Sequence, residues 1–211
     1  MSTPRHHITD ALMSLYRLGG LPTPFAVTVA AHLSLCNECR ATYEASLVPG
    51  GLLLEMSDGT PLSPELKSSV MGMLDDSPSP SATSADPVLL PQPVRALLAE
   101  GEPNWRRVAP GSRQAILQND SEGSLRLLEF AAGQTVPEHS HGGNELTLIL
   151  QGSFSDVTGT YRVGDLQIAD DTLDHAPKAA PGMPCICLAA TDAPLKFRGL
   201  IPRLLQPFLR I

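Results

Sequence analysis

Residues 133–152 read GQTVPEHSHGGNELTLILQG. His139 and His141 stand two apart, which on a strand sends both imidazoles to the same side. Glu145 keeps that parity, and Gly142-Gly143 lets the backbone bend between them without a Cβ clash. Two imidazoles and a carboxylate thus converge on one point, followed by an apolar strand over 145–150. Groups of this kind are expensive to enclose unless something coordinates them. The stretch therefore predicts a metal-binding β-structure.

The surrounding residues extend the β-reading. Leu125 and Leu127 alternate after the turn signal Glu122-Gly123-Ser124, and further short strands are expected at 153–156, 160–162, 165–168 and 185–189. Short, regularly spaced strands without helices between them point to a β-sandwich or small barrel. Cys185 and Cys187 alternate on one of these strands and share a face. Small core residues are the ordinary reading of such a pair, and a redox or metal-supporting role the rarer one. The tail from residue 197, FRGLIPRLLQPFLRI, is too apolar to stay free. It is expected to dock on the β-domain, or to offer Leu200, Leu204 and Leu205 to a partner.

Upstream lies a seam. Residues 77–93, SPSPSATSADPVLLPQP, have linker composition, and the hydrophobic period changes across them. The expected fold class is α + β in two domains: a helical bundle over 1–76, the linker over 77–93 and the β-domain over 94–211. In the first domain Ile8, Leu12, Leu15 and Tyr16 follow helical spacing until Gly19-Gly20. A second helix opens with Thr23 as N-cap and Pro24 at its first position, and runs to Pro49-Gly50-Gly51. A third opens at Ser63-Pro64 and carries Leu66, Val70, Met73 and Leu74. Three short amphipathic helices make a marginal core, which a metal or a partner would reinforce.

The second helix supplies a reason to expect the metal. Residues 32–39 read HLSLCNEC. On a continuous helix His32, Cys36 and Cys39 fall within a ~60° arc at ~100° per residue. Thiolates with imidazole suit zinc, which takes four ligands in a structural site. The fourth would come from the start of the first helix, where His6 and His7 stand side by side. A redox reading of C-x-x-C lacks the βαβ context it normally occupies.

Charge narrows the partners. The net charge of −7 divides into −4 over residues 1–80 (four Lys/Arg, eight Asp/Glu) and −3 over 81–211 (eleven, fourteen). Neither half offers a basic stripe, so direct nucleic-acid binding is not expected. The polar N-terminus, MSTPRHHITD, is unlike a signal peptide, and FAVTVAAHLSL is short of a membrane span. The expected location is the cytoplasm, with no membrane association. There, closely spaced cysteines favour metal over disulfides.

Two resemblances join these readings. The spacing G-x5-H-x-H-x3-E-x6-G at 133–152 is similar to the first motif of the cupins. YRVGD at 161–165 matches the opening of the second, although the gap to His175 is longer than the tightest form and no Asn follows. This resemblance implies a barrel site of His139, His141, Glu145 and His175. It would hold a second divalent metal, with zinc first among zinc, iron, manganese and nickel. RHHITDALMSLYRLG and AAHLSLCNECRA resemble the zinc-binding domain of anti-sigma factors of the ChrR type, which joins that domain to a cupin. This resemblance implies zinc at His7, His32, Cys36 and Cys39.

The implied function is a protein–protein one. An acidic helical domain binds an extracytoplasmic-function (ECF, group 4) sigma factor and keeps it from RNA polymerase. The cupin domain serves the response to oxidative stress, either singlet oxygen or an organic peroxide. The rival reading is a metal-dependent cupin enzyme, of dioxygenase or isomerase type, with a helical oligomerisation domain. An enzyme has little use for a separate acidic bundle on a linker, so the regulator is preferred and no catalytic residues are expected. A zinc-stabilised adaptor with an inert barrel is the blandest alternative.

Overall fold

A computed structural model describes residues 3–75, 90–98 and 101–197. The expected linker lies outside the described residues as far as residue 89, as does the apolar tail beyond Phe197. The helices are α1 (Asp10–Arg17), α2 (Thr23–Leu35), α3 (Asn37–Glu55), α4 (Pro64–Asp75) and the short α5 (Gln92–Arg95), which runs into a 3₁₀ turn at Ala96–Leu98. α1 starts where the Thr9 hydroxyl accepts from the Leu12 N–H at 3.3 Å. It ends where Gly19 turns into the left-handed region at φ +67°, the expected stop.

The second predicted helix departs from expectation in three ways. Its N-terminal residue Thr23 is capped by Glu122, whose Oε2 accepts the Thr23 N–H at 3.0 Å, rather than by the Thr23 side chain. A carboxylate there satisfies an orphan donor and complements the helix dipole, and the bonds from Thr23 hold Glu122 below the usual carboxylate range. The helix also breaks at Cys36, which is extended (φ −112°, ψ 105°). α3 then runs through Pro49-Gly50-Gly51 to Glu55. Pro49 deprives the Ala45 carbonyl of its helical partner, but this side of α3 is exposed and water can take the bond.

Eleven antiparallel strands are described. β1 (Arg106–Ala109), β2 (Ser112–Asp120), β3 (Gly123–Phe130), β5 (Glu145–Gln151), β8 (Leu166–Ala169) and β10 (Cys185–Thr191) form a six-stranded sheet in the order β1-β2-β3-β10-β5-β8. β6 (Ser153–Asp156), β7 (Gly159–Arg162) and β9 (Lys178–Ala179) make a second sheet in the order β7-β6-β9. β4 (His139–His141) and β11 (Leu195–Phe197) pair as a third.

The central strands β3, β5 and β10 of the large sheet are buried on both faces, and this explains their nearly continuous apolar runs. Leu125 and Leu127 on β3, Leu146 and Leu148 on β5, and Ile186, Leu188 and Ala190 on β10 share one core with α2 residues Phe25, Val29 and Leu33. The alternate residues Ile149, Cys185 and Cys187 form a second core with Phe154, Tyr161 and Ala179. α2 is apolar nearly all round because the sheet covers one side, while Leu90 and Val94 from the start of the C-terminal half join the same core. Accordingly, one compact unit joins the residues up to Tyr43 with those after the seam, and a second spans the remainder of α3 and α4 from Glu44.

Candidate metal centres

The first centre forms where α2 gives way to α3. His32 lies in the last turn of α2, Cys36 at the break and Cys39 in the first turn of α3. His7 comes from the segment preceding α1. One donor atom from each of the four lies within 4.8 Å of every other. His7 Nδ1 is 3.4 Å from Cys36 Sγ and 3.4 Å from Cys39 Sγ. A tetrahedron with bonds of about 2.0–2.3 Å has donor–donor edges of roughly 3.3–3.8 Å, so the sulfur–nitrogen separations fit zinc. His32, Cys36 and Cys39 are gathered by a helix break, not along the single helical face expected from their spacing, and His7 joins them from the segment before α1.

The remaining chemistry of this group also fits a cation. Both ring nitrogens of His32 are buried without a hydrogen-bond partner, a costly arrangement for an imidazole that coordinates nothing. Burial lowers His32 to about 4, with the backbone at Gly164 opposing in part, so the ring is neutral and its lone pair free. Burial likewise raises the Cys39 thiol to about 11, and a metal would have to displace that proton. On the far side of His7, Nε2 lies 3.6 Å from Glu38 Oε2, which leaves Nδ1 to face the sulfurs.

His7 is delivered by a strap that Asp165 holds to the β-domain. The buried carboxylate accepts the N–H of Arg5 at 2.5 Å, of His6 at 3.0 Å and of Arg162 at 2.8 Å. The Leu166 N–H reaches the His6 carbonyl at 3.2 Å. Gly164 makes room for this approach: its φ is +89°, and a Cβ there would stand 2.7 Å from Pro4 Cγ. His6 faces away from the thiols, 3.5 Å from Asp165 Oδ2 with its ring 4.2 Å from that of Tyr161.

The second centre lies inside the β-domain. His139 and His141 project from β4, and His175 pairs with His139 through reciprocal backbone hydrogen bonds of 3.0 Å. The three imidazoles are buried and offer donor atoms within 4.8 Å of one another. His141 Nε2 and His175 Nε2 approach to 3.1 Å. His139 Nδ1 lies 2.8 Å from the Pro137 carbonyl and His175 Nδ1 2.6 Å from Asp156 Oδ2. Donation through Nδ1 in both rings leaves Nε2 free for a metal, with Asp156 as an orienting carboxylate. Burial pushes Asp156 upward, but bonds from Thr158, Gln167 and His175 outweigh it and hold it at about 2.

Glu145 stands at the edge of this group, its Oε2 3.5 Å from His141 Nδ1 and its Oε1 accepting from the Thr147 hydroxyl at 2.9 Å. Burial works against its charge, yet the adjacent His141 and His139 keep its carboxyl below the usual range. Gly142 and Gly143 are required by space: a Cβ on the first would meet the Pro194 carbonyl at 2.6 Å, and one on the second the Asp192 carboxylate. Three nitrogens with a nearby carboxylate suit a divalent metal. Cys185 and Cys187 belong to the core, as their alternation suggested. Burial pushes Cys185 up to about 12 and Cys187 well above the ordinary range, so both stay protonated.

Sequence reading missed Asp156, Asp165, Glu38 and Thr147. Only Thr147 carried a local signal, the same strand parity as Glu145; the others act across 19 to 160 positions or from a helix face.

The surface of α3 and α4 is the other notable feature. Leu52, Leu53, Leu54 and Met56 at the end of α3, and Val70, Met71, Met73 and Leu74 on α4, are all exposed, Leu53 by 69% and Leu74 by 61%. So many exposed large apolar side chains in one stretch of chain suit a binding role. Among the described residues, no helix is long and apolar enough to cross a membrane.

Residues 94–193 match the family model of the ChrR cupin-like domain. The chain is 47% identical over 214 residues to the anti-sigma-E factor ChrR of Cereibacter sphaeroides, covering 99% of this chain and 100% of that one. Its fold resembles the crystal structure of Rhodobacter sphaeroides SigE in complex with the anti-sigma ChrR, with a TM-score of 0.73 and 43% identity, covering 90% of this chain and 100% of that one.

Proposed function

The chain belongs to the ChrR family of anti-sigma factors, and from that premise we propose that it binds an ECF sigma factor, keeps it from RNA polymerase, and releases it under oxidative stress. The observation that carries this reading is the set of exposed apolar side chains on α3 and α4. A side chain such as Leu54, 75% exposed, gains by transfer from water into a partner. Inhibition by occlusion needs no chemistry, and the dioxygenase or isomerase alternative falls away against a relative that is an anti-sigma factor over its whole length.

Zinc at His7, His32, Cys36 and Cys39 would fix the junction between α2 and α3, making metal binding and local folding one event. The helical module proposed for residues 1–76 would meet sigma through its later helices. The barrel would hold a second divalent metal at His139, His141 and His175, with Glu145 beside them. There it would register singlet oxygen or an organic peroxide, in the cytoplasm where sigma and polymerase meet.

The test is a reconstituted transcription assay with the full chain, the sigma factor it captures, and polymerase. The parent protein suppresses transcription until oxidant is added. His139→Ala and Glu145→Ala suppress equally at rest but respond weakly to oxidant. Normal induction in these variants refutes a sensing role for the barrel, and failure of the parent to suppress refutes the anti-sigma reading.

A further inference from the structure

Beside the three imidazoles the β-domain is hollow. A cavity of about 390 Å³ is lined from strands of all three sheets, with His139, Glu145 and His175 on its wall. Most of the remaining wall is carbon, from Leu128, Phe130, Val136, Phe154, Pro177 and Leu195. A metal ion bound for structural reasons leaves no need for such a space. Water gains little there as well, because a carbon wall offers few of the two to four polar partners an ordered water needs.

Three polar side chains of the wall, Arg113, Gln167 and Thr147, have partners of their own. The Arg113 Nη2 donates to Glu129 at 2.6 Å, and its guanidinium lies 4.6 Å above the Trp105 ring. Gln167 donates to Asp156 at 2.7 Å and to Thr158 at 3.0 Å, and Thr147 donates to Glu145. The anchor at the inner end of the carbon wall is the imidazole cluster with its metal. A divalent cation held by the three imidazoles, its charge balanced by Glu145 and by Asp156 behind His175, would still have a coordination position to fill from the cavity side, and an anionic oxygen is a donor that suits it. The carbon wall favours an aliphatic chain. At roughly 30 Å³ per water-sized group, the cavity accepts on the order of a dozen non-hydrogen atoms.

We infer that the barrel binds a medium-chain aliphatic molecule with an anionic oxygen head, its head at the metal and its tail along Leu128, Phe130 and Phe154. Carboxylates and hydroperoxides of fatty chains share this chemistry. The inference rests on the reading of the barrel as a metal site, and it makes the barrel a receptor for an amphiphile rather than a detector of a diatomic oxidant alone.

The experiment uses the full zinc-loaded chain in calorimetric titrations with acetate, octanoate and octyl hydroperoxide, with metal content measured on the same sample. Each buried methylene strengthens binding roughly fourfold, so octanoate or its hydroperoxide should bind at least about a hundredfold more tightly than acetate. The tighter of the two long probes identifies the head group. Ala109 sits on the exposed rim of the cavity, so Ala109→Trp should obstruct entry, weakening the tighter probe about tenfold or more with metal content unchanged. Metal in the barrel with all three probes binding alike overturns the inference alone, as does full-strength binding to Ala109→Trp. Absence of barrel metal overturns the metal reading and the inference together.

Discussion

Replacing Asp165 by Asn strikes the point where the N-terminal strap is held. Oδ1 accepts the N–H groups of Arg5 and His6, and Oδ2 that of Arg162, all at a carboxylate that is only 2% exposed. A carboxamide of the same size keeps one acceptor oxygen and turns an NH₂ toward the remaining donors. One or two buried N–H groups then lose their partner, at about 1–3 kcal/mol each, so the expected destabilisation is about 2–4 kcal/mol. For a chain of this size that corresponds to a fall of about 5–15 °C in Tm.

The strap also carries His7, so zinc affinity at the first centre should fall about 10–100-fold, as for loss of other orienting groups. The pH dependence follows from the same contacts. Burial pushes Asp165 upward, but the N–H groups of Arg5, Arg162 and His6 outweigh it and hold its carboxyl below the usual range. A folded-state value below the unfolded one, about 3.9, means the stabilisation is complete above that pH and is lost as pH falls through the folded value. The Asn variant should lack this acid-dependent loss. Thermal unfolding by circular dichroism from neutral pH to pH 3, with chelator competition for zinc, measures both effects. An unchanged Tm together with unchanged zinc affinity would refute the role given to the strap.

Other perturbations separate the remaining features. Asp156→Asn removes the carboxylate that orients His175 and should weaken barrel metal binding about 10–100-fold in chelator competition, leaving zinc at the first centre in place. The double substitution Leu53→Glu with Leu74→Glu should abolish sigma capture while shifting stability by no more than about 0.5 kcal/mol, because both side chains already face water. Cys185 and Cys187 should resist alkylation in the native chain and react after unfolding, as read by mass spectrometry; rapid native labelling would contradict their burial.

The two candidate metal centres were legible because most of their residues cluster in sequence. His139 and His141 show their common strand face directly, with Glu145 opening the next strand, and His32, Cys36 and Cys39 suggest a metal by their types and spacing even though they meet at a helix break instead of along one helical face. No Gly or Pro marks the break at Cys36, and a helical period continues across it, so a single helix was the natural expectation. The break reflects where the two thiols and His32 must meet His7, a tertiary demand invisible to local pattern. Pro49-Gly50-Gly51 misled in the opposite sense, since an exposed helix can leave a carbonyl to water. Asp165 and Asp156 were hidden because their partners lie on other elements. The packing of α2 on the sheet was implicit in FAVTVAAHLSL, too apolar on every side for a helix with one wet face, but which surface would cover it required the fold.

The most direct measurement is made on Cys39→Ser in the full chain: zinc content by elemental analysis, and capture of the sigma factor from the same preparation. One zinc fewer per chain than the parent and loss of capture, with the barrel metal retained, is the expected result. Undiminished capture by a protein lacking that zinc would contradict it.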